Sequence, residues 1–419
     1  MEETVVATLL QLIVIILCAR VAGAAAVAVR QPRAAGEIVA GLLLGPSLFG
    51  AFFPDVSHAV FSPVAAAPIQ ILSQIGLILL MFQIGSDFDF GHLADARNRK
   101  AMIYVAVASI CAPLATGLII GWESAPTLAS DKNAPIYSLF VAVAFAITAV
   151  PVLGRILREY ALTRHETGVI AIAAAAANDA VGWLLLAAVA AYASAQFSLS
   201  HYSLQIAGLL GLAVVLFVAG RPAVSWLLRK FPIQNGLLPS SLIATVFALI
   251  FVTGIATEKL GVFTIFGGFL IGLLFHRHTA FVTAWNRQVG SFVLVFFLPI
   301  FFTYTGLRTN ILGLESWSDW MWCAGIVAAA TLSKVLPVHI AARAAELPRH
   351  QALTLGVLMN TRGLMELIVL NVGLSLGFIP PKVFTMLVIM AISTTIMTGP
   401  ILQFLLRRAG QPAHTLVEA

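Results

Sequence analysis

The sequence is poor in charge. Asp, Glu, Lys and Arg make up 10% of its 419 residues, against 60% hydrophobic residues and a mean hydropathy of +0.98. A soluble domain carries about 25% charged residues, so a soluble globular protein is excluded and an all-α polytopic membrane protein is specified. Cysteine is scarce too. Cys18, Cys111 and Cys323 all fall in apolar stretches, which excludes a disulfide framework and leaves them as small buried apolar residues. No soluble domain of useful size remains between the apolar runs, and the short tail after Arg408 is too small to fold alone. The start, MEETVVATLL, lacks the basic n-region of a cleaved leader, so the first apolar segment is expected to be retained. There is no nucleophilic triad, metal-ligand cluster or phosphate loop, which argues against a conventional enzyme and calls for no cofactor. There is no TVGYG-like filter either, which argues against a passive ion channel.

What is present is a series of apolar segments, each able to cross roughly 30 Å of hydrocarbon with about 20 residues. We read thirteen, at 4–29, 35–52, 64–86, 101–121, 136–158, 167–194, 203–228, 237–257, 261–276, 288–307, 320–343, 351–377 and 382–406. With the N-terminus outside, seventeen of the 24 Lys and Arg residues fall at cytoplasmic ends and four at outer ends. That asymmetry follows the positive-inside rule and predicts a cytoplasmic C-terminus. It also explains the net charge of +6 without nucleic acid as a partner. Asp87 and Asp89 close span 3 at the inner face and are expected to be solvated. Trp122, Trp317, Trp320 and Trp322 fit an interfacial aromatic belt.

Charges inside spans are the informative ones. Asp179 stands alone in GVIAIAAAAANDAVGWLLLAAVAAYA (168–193). A carboxylate at membrane depth is costly and marks a functional site by default; the alternative is a neutral acid that only joins helices. Its neighbour Asn178 offers an amide to an ion, or an interhelical hydrogen bond. Lys334 lies in AAATLSKVLPVHI, and Arg362 and Glu366 are spaced i, i+4 on one helix face. Two spans are interrupted. The fifth contains Thr148 and Pro151, and proline removes a backbone donor and frees a carbonyl. The twelfth contains the polar run Asn360, Thr361, Arg362 and Gly363. If spans 1–6 and 8–13 are equivalent halves, these breaks correspond, and paired interrupted segments point to a transporter's binding site. A lone acid, a lone amine and broken helices suggest ion transport. Thr148 would offer a hydroxyl beside freed carbonyls, which are hard oxygen ligands suited to Na⁺ or K⁺, or would bond back to its own helix.

Five segments, in order along nearly the whole chain, carry a resemblance: GEIVAGLLLGPSLFG (36–50), AITAVPVLGRILRE (146–159), AANDAVGW (176–183), LPIFFTYTGLRTN (298–310) and LMNTRGLMELIVLNVG (358–373). The chain resembles the monovalent cation:proton antiporter superfamily, in the branch of Kef-type potassium/proton and plant CHX-type exchangers. The resemblance implies inverted repeats with two crossed broken helices, the Na⁺/H⁺ antiporter-like fold. Spans 1–3 and 8–10 (about 4–86 and 237–307) would form a dimerisation part. Spans 4–6 and 11–13 (about 101–194 and 320–406) would form an ion-transporting core that moves like an elevator. The segment 203–228 would be a linker helix. No C-terminal nucleotide-binding domain of the Kef type is expected, because G-x-G-x-x-G is absent.

By this resemblance Asp179 would bind a cation and a proton in alternation, and Lys334 would pair with or balance that site; an interfacial Lys334 is the alternative. Arg362 and Glu366 would serve structure or gating rather than ion ligation. Pro151 and Gly363 mark the helix breaks. Glu37 would line a cytoplasmic funnel or sit at the headgroup level. The Asn-Asp pair, where electrogenic relatives carry Asp-Asp, implies electroneutral exchange. The expected partners are Na⁺ or K⁺, protons, the bilayer of a bacterial inner membrane and a second copy of the chain. The competing readings are a coupled symporter of an organic anion and a non-transporting ion sensor on the same scaffold.

Overall fold

The structure is a computed structural model describing residues 2–29, 31, 33–46, 48–87, 95–193, 199–260, 264–307 and 314–408. Asp89 and the tail after Arg408 lie outside the described residues. The described chain is almost entirely helical. In chain order the principal helices are α1 (Glu2–Ala28), α2 (Arg33–Leu44), α3 (Ala66–Ser86), α4 (Ala96–Leu128), α5 (Ala134–Ala146), α6 (Val150–Glu159), α7 (Glu166–Ala193) and α8 (Leu199–Val215). They continue as α9 (Arg221–Lys230), α10 (Ser240–Lys259), α11 (Thr264–Phe275), α12 (Leu298–Leu307), α13 (Trp317–Ala344), α14 (Arg349–Met359), α15 (Leu364–Ser375) and α16 (Pro381–Arg408).

Ten helical stretches among the described residues are long and apolar enough to cross a membrane, and eleven if the pair Thr279–Gly290 and Val293–Phe301, bent by 43°, is one span. Two of the thirteen expected segments differ in kind. Thr264–Phe275 is a short apolar helix, and the twelfth is divided into α14 and α15. The helix ends carry their own signals. Asn133 accepts from Ile136 N–H at the start of α5, with Pro135 in the first turn, where a missing donor costs nothing. Ser316 and Asp319 form a reciprocal capping box on α13, and Lys382 Nζ at the start of α16 reaches Asp319 at 3.0 Å.

The helices pack in two groups. Around α3 gather α1, α2, α10, α11 and α12; around α4 and α5 gather α7, α13, α14 and α16. The groups meet where α6 packs on α3 and α2, and where α15 packs on α12. Between lipid-solvated helices apolar burial gives little drive, so close backbone approach through small residues does the packing. Gly272 of α11 is an example: a Cβ there would run into the Phe82 carbonyl of α3. Burial divides sharply along the chain. Most residues of the broken α5–α6 stretch are buried, whereas those of Ser203–Lys230 are mostly half-buried or exposed. That segment lies on the outside of the bundle, and the broken helix at its centre.

Candidate functional site

The site forms at the break between α5 and α6. The last turn of α5 would, in a continuous helix, direct the carbonyls of Ala144, Phe145, Ala146 and Ile147 to the N–H groups of residues 148 to 151. Position 151 is proline and has none. Instead the chain extends through Ile147 and Ala149 before α6 begins. Unpaired carbonyls in hydrocarbon cost several kcal/mol each, on the order of magnitude of a lost hydrogen bond without water. Two cations from the other half of the chain take them. Lys334 Nζ donates to Ala146 O at 2.6 Å and Ile147 O at 3.0 Å. Arg362 Nη1 donates to Ala144 O and Nη2 to Phe145 O, each at 2.8 Å. Both side chains are fully buried. Positive charge at a helix C-terminus is also where the helix dipole favours it.

The matching N-terminus belongs to Asp179. Its carboxylate faces Val150 N–H, the first residue of α6, and lies in the electrostatic field of Lys334. The hydrogen bond that Ala146 O and Val150 N would have shared is thus split, with a lysine on one half and an aspartate on the other. Asp179 is 3% exposed, and its Oδ1 has no hydrogen-bond partner among the described residues. It is a buried carboxyl oxygen left available.

Asn178 takes a different part. In the orientation that satisfies both ends of its amide, it donates to Ala106 O and Ala174 O at 3.2 Å each and accepts from Ser109 Oγ at 2.7 Å. It therefore ties α7 to α4. Thr148 Oγ1 donates to Met359 O at 3.4 Å. The carbonyls beside Thr148, which the sequence offers as ion ligands, are taken by Lys334 and Arg362; that expectation fails because the second half supplies cations to them.

The two breaks touch. Ala149 N donates to Thr361 O at 3.3 Å, and a Cβ on Gly363 would come within 2.6 Å of Val152 Cγ2. Only glycine allows that approach. Pro151 sits in the first turn of α6, starting the second half-helix rather than ending the first. Glu366, in the first turn of α15, lies 3.4 Å from Arg362 Nη1, and its Oε2 has no hydrogen-bond partner among the described residues. Lys334 lies in the fields of both Asp179 and Glu366. The interfacial alternative for Lys334 is excluded by its full burial.

Glu37 is buried inside the protein. It is 2% exposed and faces Arg155 at 4.0 Å, beside the Arg155–Glu159 pair at 2.6 Å. Arg155 is buried as well. The i, i+4 spacing of Arg155 and Glu159, the same as that of Arg362 and Glu366, is the signal that could have found it.

Residues 12–408 match the family "Sodium/hydrogen exchanger, transmembrane". The chain belongs to that family. It is 35% identical over 401 residues to the Na(+)/H(+) antiporter NhaS4 of Synechocystis, covering 95% of this chain and 97% of that one. It is 32% identical to Cation/H(+) antiporter 18 of Arabidopsis thaliana, covering 98% of this chain and 51% of the relative, and 28% identical to K(+)/H(+) antiporter 1 of Saccharomyces cerevisiae, covering 89% and 43%. The chain thus spans nearly all of the cyanobacterial relative and about half of the plant and yeast ones. The structure of the sodium proton antiporter MjNhaP1 from Methanocaldococcus jannaschii has the same fold, with a TM-score of 0.66 at 17% identity, covering 99% of this chain and 100% of that one.

Proposed function

We propose that this integral membrane protein exchanges a monovalent cation, Na⁺ or K⁺, for a proton, with Asp179 binding the two in competition. The observation that carries this reading is the buried Asp179 carboxylate, set against Val150 N–H at the start of α6, with no hydrogen-bond partner for Oδ1 among the described residues. A protonated carboxyl is neutral, and so is a carboxylate with a bound monovalent cation. With the ammonium of Lys334 beside it, the site carries the same charge under either load, and the bare carboxylate differs from both by one negative charge. A core that moves at that one fixed site charge moves with either load and not with neither, because changing the charge of a low-dielectric interior is costly; this is the physical content of obligatory exchange. Lys334 and Arg362 hold the α5 carbonyls in every step. Because only Asp179 changes its load, the exchange is one for one and electroneutral.

The division into two helix groups supports a core of α4–α7 and α13–α16 moving past a scaffold of α1–α3 and α10–α12. The apolar face of α1, with Val6, Ile13 and Val21 exposed, suits lipid or a second copy of the chain in a homodimer. Thr148 lines the site, Asn178 holds α7 in place, and Arg362 with Glu366 stabilises the break. Glu37 belongs to the boundary between the groups rather than to an open funnel.

Purified protein in liposomes with a trapped pH dye and an imposed proton gradient tests the reading. Na⁺ or K⁺, and not choline, is expected to collapse the gradient, unchanged by a voltage clamp. Asp179→Asn keeps an acceptor for Val150 N–H, so it is expected to give folded, inactive protein. Full exchange by that variant contradicts the assignment.

A further inference from the structure

The last turn of α6 carries three charged side chains, Arg155, Arg158 and Glu159, and each touches the α3 group. Arg155 Nη2 faces Glu37 Oε1 of α2 at 4.0 Å. Glu159 Oε2 accepts from the backbone N–H of Arg33, the first residue of α2, at 2.8 Å. Arg158 Nη1 faces Asp87 Oδ2, at the end of α3, at 3.3 Å. None of these six residues takes part in the exchange chemistry derived above.

The quality of the contacts differs on the two sides of the boundary. Within a group they are short and directed. Arg155 Nε donates to Glu159 Oε1 at 2.6 Å. Asn286 Nδ2 donates to Asp87 Oδ1 at 2.9 Å, and Gln83 Nε2 donates to Asn286 Oδ1 at 2.6 Å. Across the boundary both arginine contacts are longer, and Glu37 Oε2, Arg155 Nη1 and Arg158 Nη1 lack hydrogen bonds of good geometry among the described residues. A permanent joint between buried charges gains its stability from complete hydrogen bonding. Arg155 and Asp87 are each fixed firmly within their own group and loosely across the boundary, while Glu159 crosses it with one short bond to the Arg33 backbone. That is the arrangement of a contact that opens and recloses.

We propose that Arg155, Arg158 and Glu159 form a catch on α6 that engages Glu37, Asp87 and the start of α2, and thereby sets how much of the protein occupies the conformation seen here. The proposal rests on the reading that the two helix groups move past one another. These are positioning residues: they act on the population from which Asp179 loads, and a ligand's apparent affinity scales with the populated fraction of the competent state.

The experiment uses a neighbouring contact as its reporter. Gly154 of α6 lies against Ile84 of α3, where a Cβ on Gly154 would be 2.9 Å from Ile84 Cγ1. Cysteines at these two positions, in full-length protein with Cys18, Cys111 and Cys323 replaced, are oxidised in liposomes for a fixed time. Disulfide yield and cation-driven exchange are both read. In the parent pair the disulfide is expected to form and to halt exchange until it is reduced. Glu37→Gln and Arg158→Gln are each expected to lower the rate of disulfide formation roughly two- to fivefold, the range expected for one ion pair, and to shift the KM for the cation. Arg158→Lys keeps the charge and is expected to restore both.

Unchanged disulfide rates in Glu37→Gln and Arg158→Gln overturn the catch, even where the parent disulfide halts exchange. A parent disulfide that forms while exchange continues overturns the movement of the groups instead. If Arg158→Gln does not fold, Glu37→Gln reads the same catch from the other group. A parent that does not cross-link contradicts the helix contact from which the catch is built.

Discussion

The two helix breaks share a shape and differ in chemistry. At the first break, between α5 and α6, four successive carbonyls are held by Lys334 and Arg362, and the facing N–H is held by Asp179. At the second, between α14 and α15, the chain largely satisfies itself. Asn360 N donates to Val357 O and Thr361 N to Leu358 O, each at 3.2 Å. Thr395 Oγ1 accepts from Arg362 N at 3.0 Å and donates to Arg362 O at 2.6 Å. The first break is thus closed by charge and the second by local turns and hydroxyls. The difference teaches that two breaks of one shape can be closed in two ways: side chains from distant helices meet the polar ends of the first, and the surrounding chain meets most of those of the second. The second break serves the first: it sends Arg362 across and offers Thr361 O to Ala149 N–H.

Breaking the charged closure is expected to cost most. Arg362→Ala strands the Ala144 and Phe145 carbonyls and leaves Glu366 buried without its cation, at about 3–5 kcal/mol. Lys334→Ala strands the next two carbonyls and removes the positive charge beside Asp179. Thermal unfolding in detergent is expected to show a large loss of stability for both. Arg362→Lys is expected to recover only part, because one ammonium cannot reproduce the fork that spans two carbonyls.

The crossing itself comes next. Gly363→Ala places a Cβ against Val152 and is expected to cost about 1–3 kcal/mol, as overpacking does. Val152→Ala in the same chain makes room, so the double variant is expected to be more stable than Gly363→Ala alone. A simple sum of two losses would show that the crossing is not the constraint.

The hydroxyl closure is expected to be the cheapest to break. Thr395→Val removes two neutral hydrogen bonds to Arg362, at about 1–2 kcal/mol together. Thr148→Val removes one longer bond and is expected to cost about 0.6 kcal/mol, the average for such bonds in membranes. If Thr395→Val destabilised as much as Arg362→Ala, the contrast between the breaks would be lost.

Much of this arrangement is legible in the sequence. Asp179 alone in its span, Pro151, the polar run from Asn360 to Gly363, and buried Lys334 all stand out against an apolar background, because charge and proline in a span are conspicuous. What the sequence does not carry is which partner meets which. The freed carbonyls look like ion ligands until Lys334 and Arg362, 188 and 218 residues further on, are seen to hold them. Glu37 and Arg155 look like charges at a membrane surface, because span ends carry basic residues whether they face water or another helix. Only the packing of α6 against α2 and α3 turns them inward. Asn178 reads as a candidate ligand because it adjoins Asp179; successive residues on a helix point about 100° apart, and its amide faces α4 instead.

The central claim is that one carboxylate, Asp179, holds either a proton or a cation. The most direct measurement is proton release on cation binding. Purified protein in weakly buffered detergent solution is mixed with Na⁺ or K⁺, and the pH change is followed with a dye. The account predicts about one proton released per chain, saturating with cation and absent in Asp179→Asn, following the competition of two ions for a single anionic group. Equal proton release from Asp179→Asn would contradict it and place the competition on another residue.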